Sequence, residues 1–204
     1  MQKFTVHEGI AVPLDSANID TDQIIPKQFL LAVNRKGFGK HLFHDQRYLD
    51  DAETIKNPEF NLNKPQYANA SILVARDNFG NGSSREHAPW ALIDYGFKAI
   101  IAPSFAVIFN NNALGCGLLP VKLKEAEVDA LFKILEKEPG TKIKIDLENL
   151  TVNCKDLCFN FTLDPFRREC LLEGLDNIAL TLKHQDDILK FEEKMPDWEN
   201  HGVF

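Results

Sequence analysis

The chain has 204 residues, a formal net charge of −7, 44% hydrophobic and 26% charged residues, the make-up of one soluble domain with a core of its own. No basic block supplies the footprint a nucleic acid needs. No apolar run reaches the roughly 18 residues that cross a bilayer, and the opening Met1-Gln2-Lys3-Phe4-Thr5-Val6-His7-Glu8 is too polar for a secretory signal. A cytoplasmic protein that binds neither nucleic acid nor membrane is the expectation; an acidic small molecule remains open, held by a few local arginines among Arg35, Arg47, Arg76, Arg85, Arg167 and Arg168.

In chain order, residues 4–12 alternate loosely and predict a first strand. Asp20-Thr21-Asp22 is a polar turn, and Pro26 after Ile24-Ile25 suits the first turn of a short helix over 27–33. Residues 34–69, with Asn34, Gly37, Gly39, Asn57, Pro58 and Pro65, read as a long irregular loop region. Connections of that length are more often functional than idle. Strands are then expected at 71–75, 98–102 and 118–121, with helices up to Tyr95 and at 105–109 between them. That β-α-β-α-β order argues for a mainly parallel sheet. A helix over 124–138 carries Val128, Leu131, Phe132 and Leu135 at helical spacing and ends at Pro139-Gly140. Short strands follow at 142–147, 151–154 and 158–163, then helices at 165–173 and 184–195 and a frayed tail at 196–204. The whole, 1–204, reads as a single α/β domain with an added β-rich part.

The four cysteines, Cys116, Cys154, Cys158 and Cys170, form no C-x-x-C pair. Cys154 and Cys158 flank an expected hairpin turn, which leaves a metal pair open, but two further ligands are not evident. Reduced structural thiols are the favoured reading. Cys116, in a glycine-flanked turn ahead of a strand, is assigned no chemistry.

The run Asp77-Asn78-Phe79-Gly80-Asn81-Gly82-Ser83-Ser84-Arg85-Glu86-His87-Ala88 is the most informative in the chain. It lies between an expected buried strand and an expected helix. Glycines let backbone N–H groups approach a ligand, serines add hydroxyls, and Arg85 adds a planar fork that fits a carboxylate or phosphate. The plainer alternative is a capped helix, since Ser83 with Glu86 three residues on is a capping box.

Gly82-Ser83-Ser84-Arg85-Glu86-His87-Ala88 also resembles the signature of the mobile C-terminal domain of the aconitase superfamily. Asn18-Ile19-Asp20-Thr21-Asp22-Gln23-Ile24-Ile25-Pro26 resembles its N-terminal signature, and almost the whole chain is similar to the small subunits of the bacterial isopropylmalate dehydratases. Asn81 departs from a common version of the motif, where a small residue stands between the glycines. The resemblance implies the swivelling β/β/α fold and a hydro-lyase of leucine biosynthesis that turns 2-isopropylmalate into 3-isopropylmalate by dehydration and rehydration. It implies Ser83 as the catalytic base and Ser84, Arg85 and Arg35 as substrate-binding residues. Thr21, Asp22, Gly82 and His87 would support them. The apolar run Phe29-Leu30-Leu31-Ala32-Val33 reads either as a buried short helix or as a lining in which Leu30 and Leu31 contact the alkyl group. Members of the superfamily use a four-iron, four-sulfur cluster held by three cysteines. This chain offers no convincing ligand set, so the cluster is expected on a large-subunit partner and no metal on this chain. Homoaconitate or citramalate as substrate is the near alternative. A non-catalytic anion-binding module is the distant one, disfavoured by the absence of the lysine of a P-loop.

Overall fold

The computed structural model describes residues 1–30 and 36–195. In chain order it comprises β1 (Val6–Leu14), α1 (Thr21–Ile24), α2 (His44–Arg47), β2 (Ile72–Ala75), α3 (His87–Tyr95), β3 (Ala99–Ala102), α4 (Val107–Cys116), β4 (Leu119–Lys122), α5 (Glu125–Lys137), β5 (Lys142–Asp146), β6 (Thr151–Cys154), β7 (Leu157–Asn160), α6 (Pro165–Glu173), α7 (Asn177–Leu182) and α8 (Gln185–Glu192). Every residue of β2 and β3 is buried. Such unbroken apolar strands require a sheet covered on both faces, and parallel strands joined by helices supply one. The strands form a 7-stranded sheet of order β4-β3-β2-β1-β5-β6-β7, parallel from β4 to β1. Side chains alternate between its faces. Leu73, Ile100 and Ala102 pack with Leu92 of α3 and Phe109 of α4. Ile72, Val74 and Ile101 pack with Val128, Leu131, Phe132 and Leu135 of α5 on the other face.

The β-rich part is an antiparallel extension. β5 pairs with the first half of β1, from Val6↔Asp146 to Ile10↔Lys142, while the second half of β1 pairs with β2 from Ala11↔Ile72 to Leu14↔Ala75. β5, β6 and β7 then form a meander. The expected first strand at 4–12 is therefore displaced to Val6–Leu14, because pairing on two sides sets its ends.

Several local expectations are corrected. The helix expected over 27–33 is a single 3-10 turn, Lys27–Phe29, and residues 31–33 lie outside the described residues. The helix expected at 105–109 begins at Val107 and continues to Cys116. Phe105 is held back by a bridge to Phe79, and the Ala106 N–H donates to the Phe79 carbonyl at 3.0 Å. Cys116 therefore ends a helix, and Gly117 takes the left-handed cap conformation at φ 87°. The polar 34–69 region hides a packed interior: Phe38, Leu42, Phe43, Leu62 and Tyr67 are all buried. At its centre Arg47 donates to the carbonyls of Gly39, Lys40 and Leu42 and stacks on Tyr48 and Tyr95. It is a strut of the fold, and its guanidinium is not available to a ligand. The tail expected at 196–204 lies outside the described residues. Among the described residues no helix is long and apolar enough to cross a membrane.

Candidate active site

The turn after β2 is laced to the segment after β1. The Asn18 N–H donates to the Asp77 carbonyl at 3.0 Å, the Gly80 N–H to Ile19 at 2.7 Å, and the Thr21 N–H to Asn81 at 2.8 Å. The two stretches that carry the family resemblance thus lie side by side. Glycine is required at position 80, where φ is +78° and a Cβ would stand 2.2 Å from the Phe109 ring. Gly82 is likewise left-handed, at φ +94°. Thr21, 1% exposed, donates its hydroxyl to the Ser83 carbonyl at 3.2 Å. Asp20 caps α1 by accepting from the Gln23 N–H at 2.7 Å. Asn81 uses its side-chain amide to brace the turn, donating to the Asn78 carbonyl at 3.0 Å, which gives its departure from the family pattern a local purpose.

The capping-box reading of Ser83 is overturned. Helix α3 starts at His87, with Glu86 at its N-cap and no side-chain cap bond. The left-handed Gly82 and the Thr21 bond hold residues 83–85 out of helical geometry. The Ser83 and Ser84 side chains are exposed, and among the described residues neither hydroxyl has a hydrogen-bond partner. Arg85 is mostly covered and pairs with the carboxylate of Asp22 on α1. One guanidinium nitrogen is committed there; the others can still meet a second carboxylate. The His87 ring packs edge-on against Phe38 at 5.4 Å and Trp90 at 4.9 Å, a packing role behind the turn.

Leu31 and Arg35 lie outside the described residues. Leu30 is half-buried against the core cluster that holds Phe38 and Phe43. Its neighbour Phe29 stacks on His41 at 3.8 Å. On the far side of the segment, the N–H groups of Gly37 and Gly39 both donate to the Asp94 carboxylate, at 2.9 and 2.8 Å. This anchor ties residues 37–39 to α3, the helix that follows Ser83, and no local pattern in the chain signals it. Two other arginines are occupied structurally. Arg76 pairs with Asp15 and Asp129 over the Phe132 ring, which raises its pKa further. Arg168 donates to the Leu147 and Glu148 carbonyls at 3.1 and 2.6 Å. Arg167 lines a cleft of about 230 Å³ together with Glu86, Asn111 and Ile178.

Cys154 is buried on β6, and burial pushes its thiol up. Cys158 is exposed on β7 and is paired in register with Asn153, not with Cys154. Cys116 and Cys170 sit on α4 and α6. Among the described residues no group of three His, Cys, Asp or Glu side chains is placed to hold a metal ion, so these residues do not fit an iron–sulfur cluster.

Residues 1–126 match the family model described as the aconitase C-terminal domain. The 3-isopropylmalate dehydratase small subunit of Campylobacter jejuni subsp. jejuni serotype O:23/36 (strain 81-176) is 64% identical over 192 residues, covering 94% of this chain and 96% of the relative. The chain belongs to the 3-isopropylmalate dehydratase small-subunit family. The small subunit from Campylobacter jejuni subsp. doylei shares the same 64% identity over the same coverage. Residues 129–165 match a model described as LeuD_N, and residues 177–199 match the C-terminal domain of the 3-isopropylmalate dehydratase small subunit. A crystal structure of 3-isopropylmalate dehydratase (leuD) from Methanocaldococcus jannaschii superposes with a TM-score of 0.66 at 26% identity, over 91% of this chain and 98% of that one. The fold is that of the aconitase C-terminal domain, as the sequence implied. Membership makes the chain one subunit of a hydro-lyase of leucine biosynthesis.

Proposed function

We propose that this chain supplies the substrate grip and the proton transfer of an isopropylmalate isomerase whose active site is completed by a cluster-bearing large subunit. The observation that carries the reading is the Ser83 hydroxyl, exposed and without a hydrogen-bond partner among the described residues, on a turn tied down by the Thr21 and Asn81 bonds. Ser83 takes the carbon-bound proton beside a substrate carboxylate and returns it at the rehydration step. Ser84 and the uncommitted edge of Arg85 hold that carboxylate. Arg35 meets the second carboxylate, and Leu30 and Leu31 line the alkyl group. Asp22 steadies Arg85, Thr21 and Gly82 set the turn, and His87 backs it.

A serine alkoxide needs N–H donors, a cation and little water. In this reading Gly82, Ser84 and Arg85 contribute the first two. The exposure of Ser83 leaves the third to the partner, which supports an active site shared between chains. Since the residues here do not fit a cluster, the cluster in this reading belongs to the large subunit. In this reading the complex is cytoplasmic.

Coexpression with an iron–sulfur large subunit tests the reading. The copurified pair should interconvert 2- and 3-isopropylmalate, and this chain alone should be colourless and inactive. Iron–sulfur absorbance from the isolated chain, or a copurified wild-type pair without activity, would refute it.

A further inference from the structure

Helices α7 and α8 contribute no buried residue to the core. On α7, Ile178 is 73% exposed, and Leu182, one turn on, also faces solvent. Phe166, in the first turn of α6, is a third exposed apolar side chain. The cleft that Ile178 lines continues through Arg167 and Asn111 to Glu86, at the end of the Ser83 turn. Asn111 lies one turn beyond Val107 on α4, and Val107 is 75% exposed with Ile108 exposed beside it. Exposed apolar side chains on α4, α6 and α7 therefore stand around a mainly polar cleft that reaches the end of the Ser83 turn, and together they form one strip of surface.

We propose that this strip, with Ile178 and Leu182 as its anchors, is where the cluster-bearing large subunit docks. The inference rests on the two-subunit reading above and adds the surface. Two observations select the occupant. The aconitase C-terminal domain model matches residues 1–126, whereas residues 177–199 match a model described as the C-terminal domain of the small subunit. A segment outside the part matched by the aconitase C-terminal model, with no buried residue in its described helices, has its apolar face available for another chain. The strip is also continuous with the turn that the partner must cover to exclude water from Ser83. A partner seated there closes the site and buries the exposed leucine and isoleucine in one step.

The test is a titration of the full chain with the cluster-loaded large subunit. Three measurements are made on each variant: the dissociation constant, the melting midpoint of the isolated chain, and turnover at saturating large subunit. I178D/L182D should raise the dissociation constant on the order of thirtyfold or more. Turnover should recover at saturation, because no residue assigned to chemistry is touched. I178A/L182A adds no charge and should weaken assembly by roughly tenfold with an unchanged midpoint, which separates docking from misfolding. Leu49→Asp, an exposed leucine elsewhere, should bind like wild type. Wild-type affinity in I178A/L182A and I178D/L182D would overturn the proposal. So would a wild-type self-association that these variants abolish while binding the large subunit normally, which would give the strip to a second copy of the chain. Failure of the wild-type chain to bind any large subunit would remove the two-subunit reading and this proposal with it.

Discussion

Ser83 and Arg85 are close in sequence and opposite in circumstance: one side chain is exposed and has no partner among the described residues, the other is mostly covered and paired with Asp22. Ser83→Ala removes no intramolecular bond, so stability should change by no more than about 0.5 kcal/mol. Turnover of the assembled enzyme should fall about a hundredfold or more, the usual scale for losing a general base. A thermal melt and kcat of the purified complex check both halves, and near-normal kcat would eliminate Ser83 as the base. Arg85→Lys keeps the charge but loses the planar fork, and kcat/KM should drop roughly tenfold or more. An unchanged kcat/KM would mean that Arg85 serves only its pair with Asp22. The placement of the 77–88 run was legible in the sequence, as a glycine-bearing turn between a buried strand and a helix, because all its signals sit in one contiguous stretch. What could not be read was long-range. Thr21 was expected as a support, but not its partner, the Ser83 carbonyl 62 residues away, and Asp94 holds Gly37 and Gly39 across more than 50. Arg47 looked like a ligand arginine because nothing in its neighbours discloses the carbonyl cage that buries it.

Elements with strong periodicity or continuous apolar character were readable: α5, β2, β3 and α6 fall close to their expected positions. Elements whose ends depend on a distant partner were not, as the late start of α4 shows, where the Phe79 bridge overrides the apolar run. Two predictions belong at this scale. Gly80→Ala would set a methyl against the Phe109 ring at a positive φ, costing on the order of 1–3 kcal/mol. The denaturation midpoint should fall, and turnover with it, since the turn carries Ser83. A variant as stable as wild type would contradict the described packing. Asp94→Ala frees the Gly37 and Gly39 N–H groups to water, at about 1 kcal/mol. It should raise KM more than it lowers kcat, because it loosens the segment that follows the proposed Arg35 contact and leaves Ser83 untouched. A fall in kcat alone would argue against that division.

At the scale of the whole molecule, His7 on β1 gives a pH signature. Burial, with Lys98 adding to it, pushes the imidazole below its ordinary 6.5, and the ring hydrogen-bonds the Ser71 hydroxyl at 2.8 Å. The unfolded chain therefore binds more protons than the folded one once pH falls below 6.5, so stability should decline from there downward. His7→Gln should flatten that decline, as chemical denaturation at pH 7 and pH 5.5 would show; an equal slope in both proteins would assign it to other groups. The same strand has a temporal consequence. β1 binds β2 through Ala11–Leu14 but keeps Val6–Ile10 for β5, whose residues are made far later. On the ribosome, at roughly 5–20 residues per second, the open edge of Val6–Ile10 waits several seconds for its mate. For that interval the nascent chain presents an unpaired ribbon edge to whatever else is being synthesised nearby, and the order in which the strands are translated sets how long the exposure lasts.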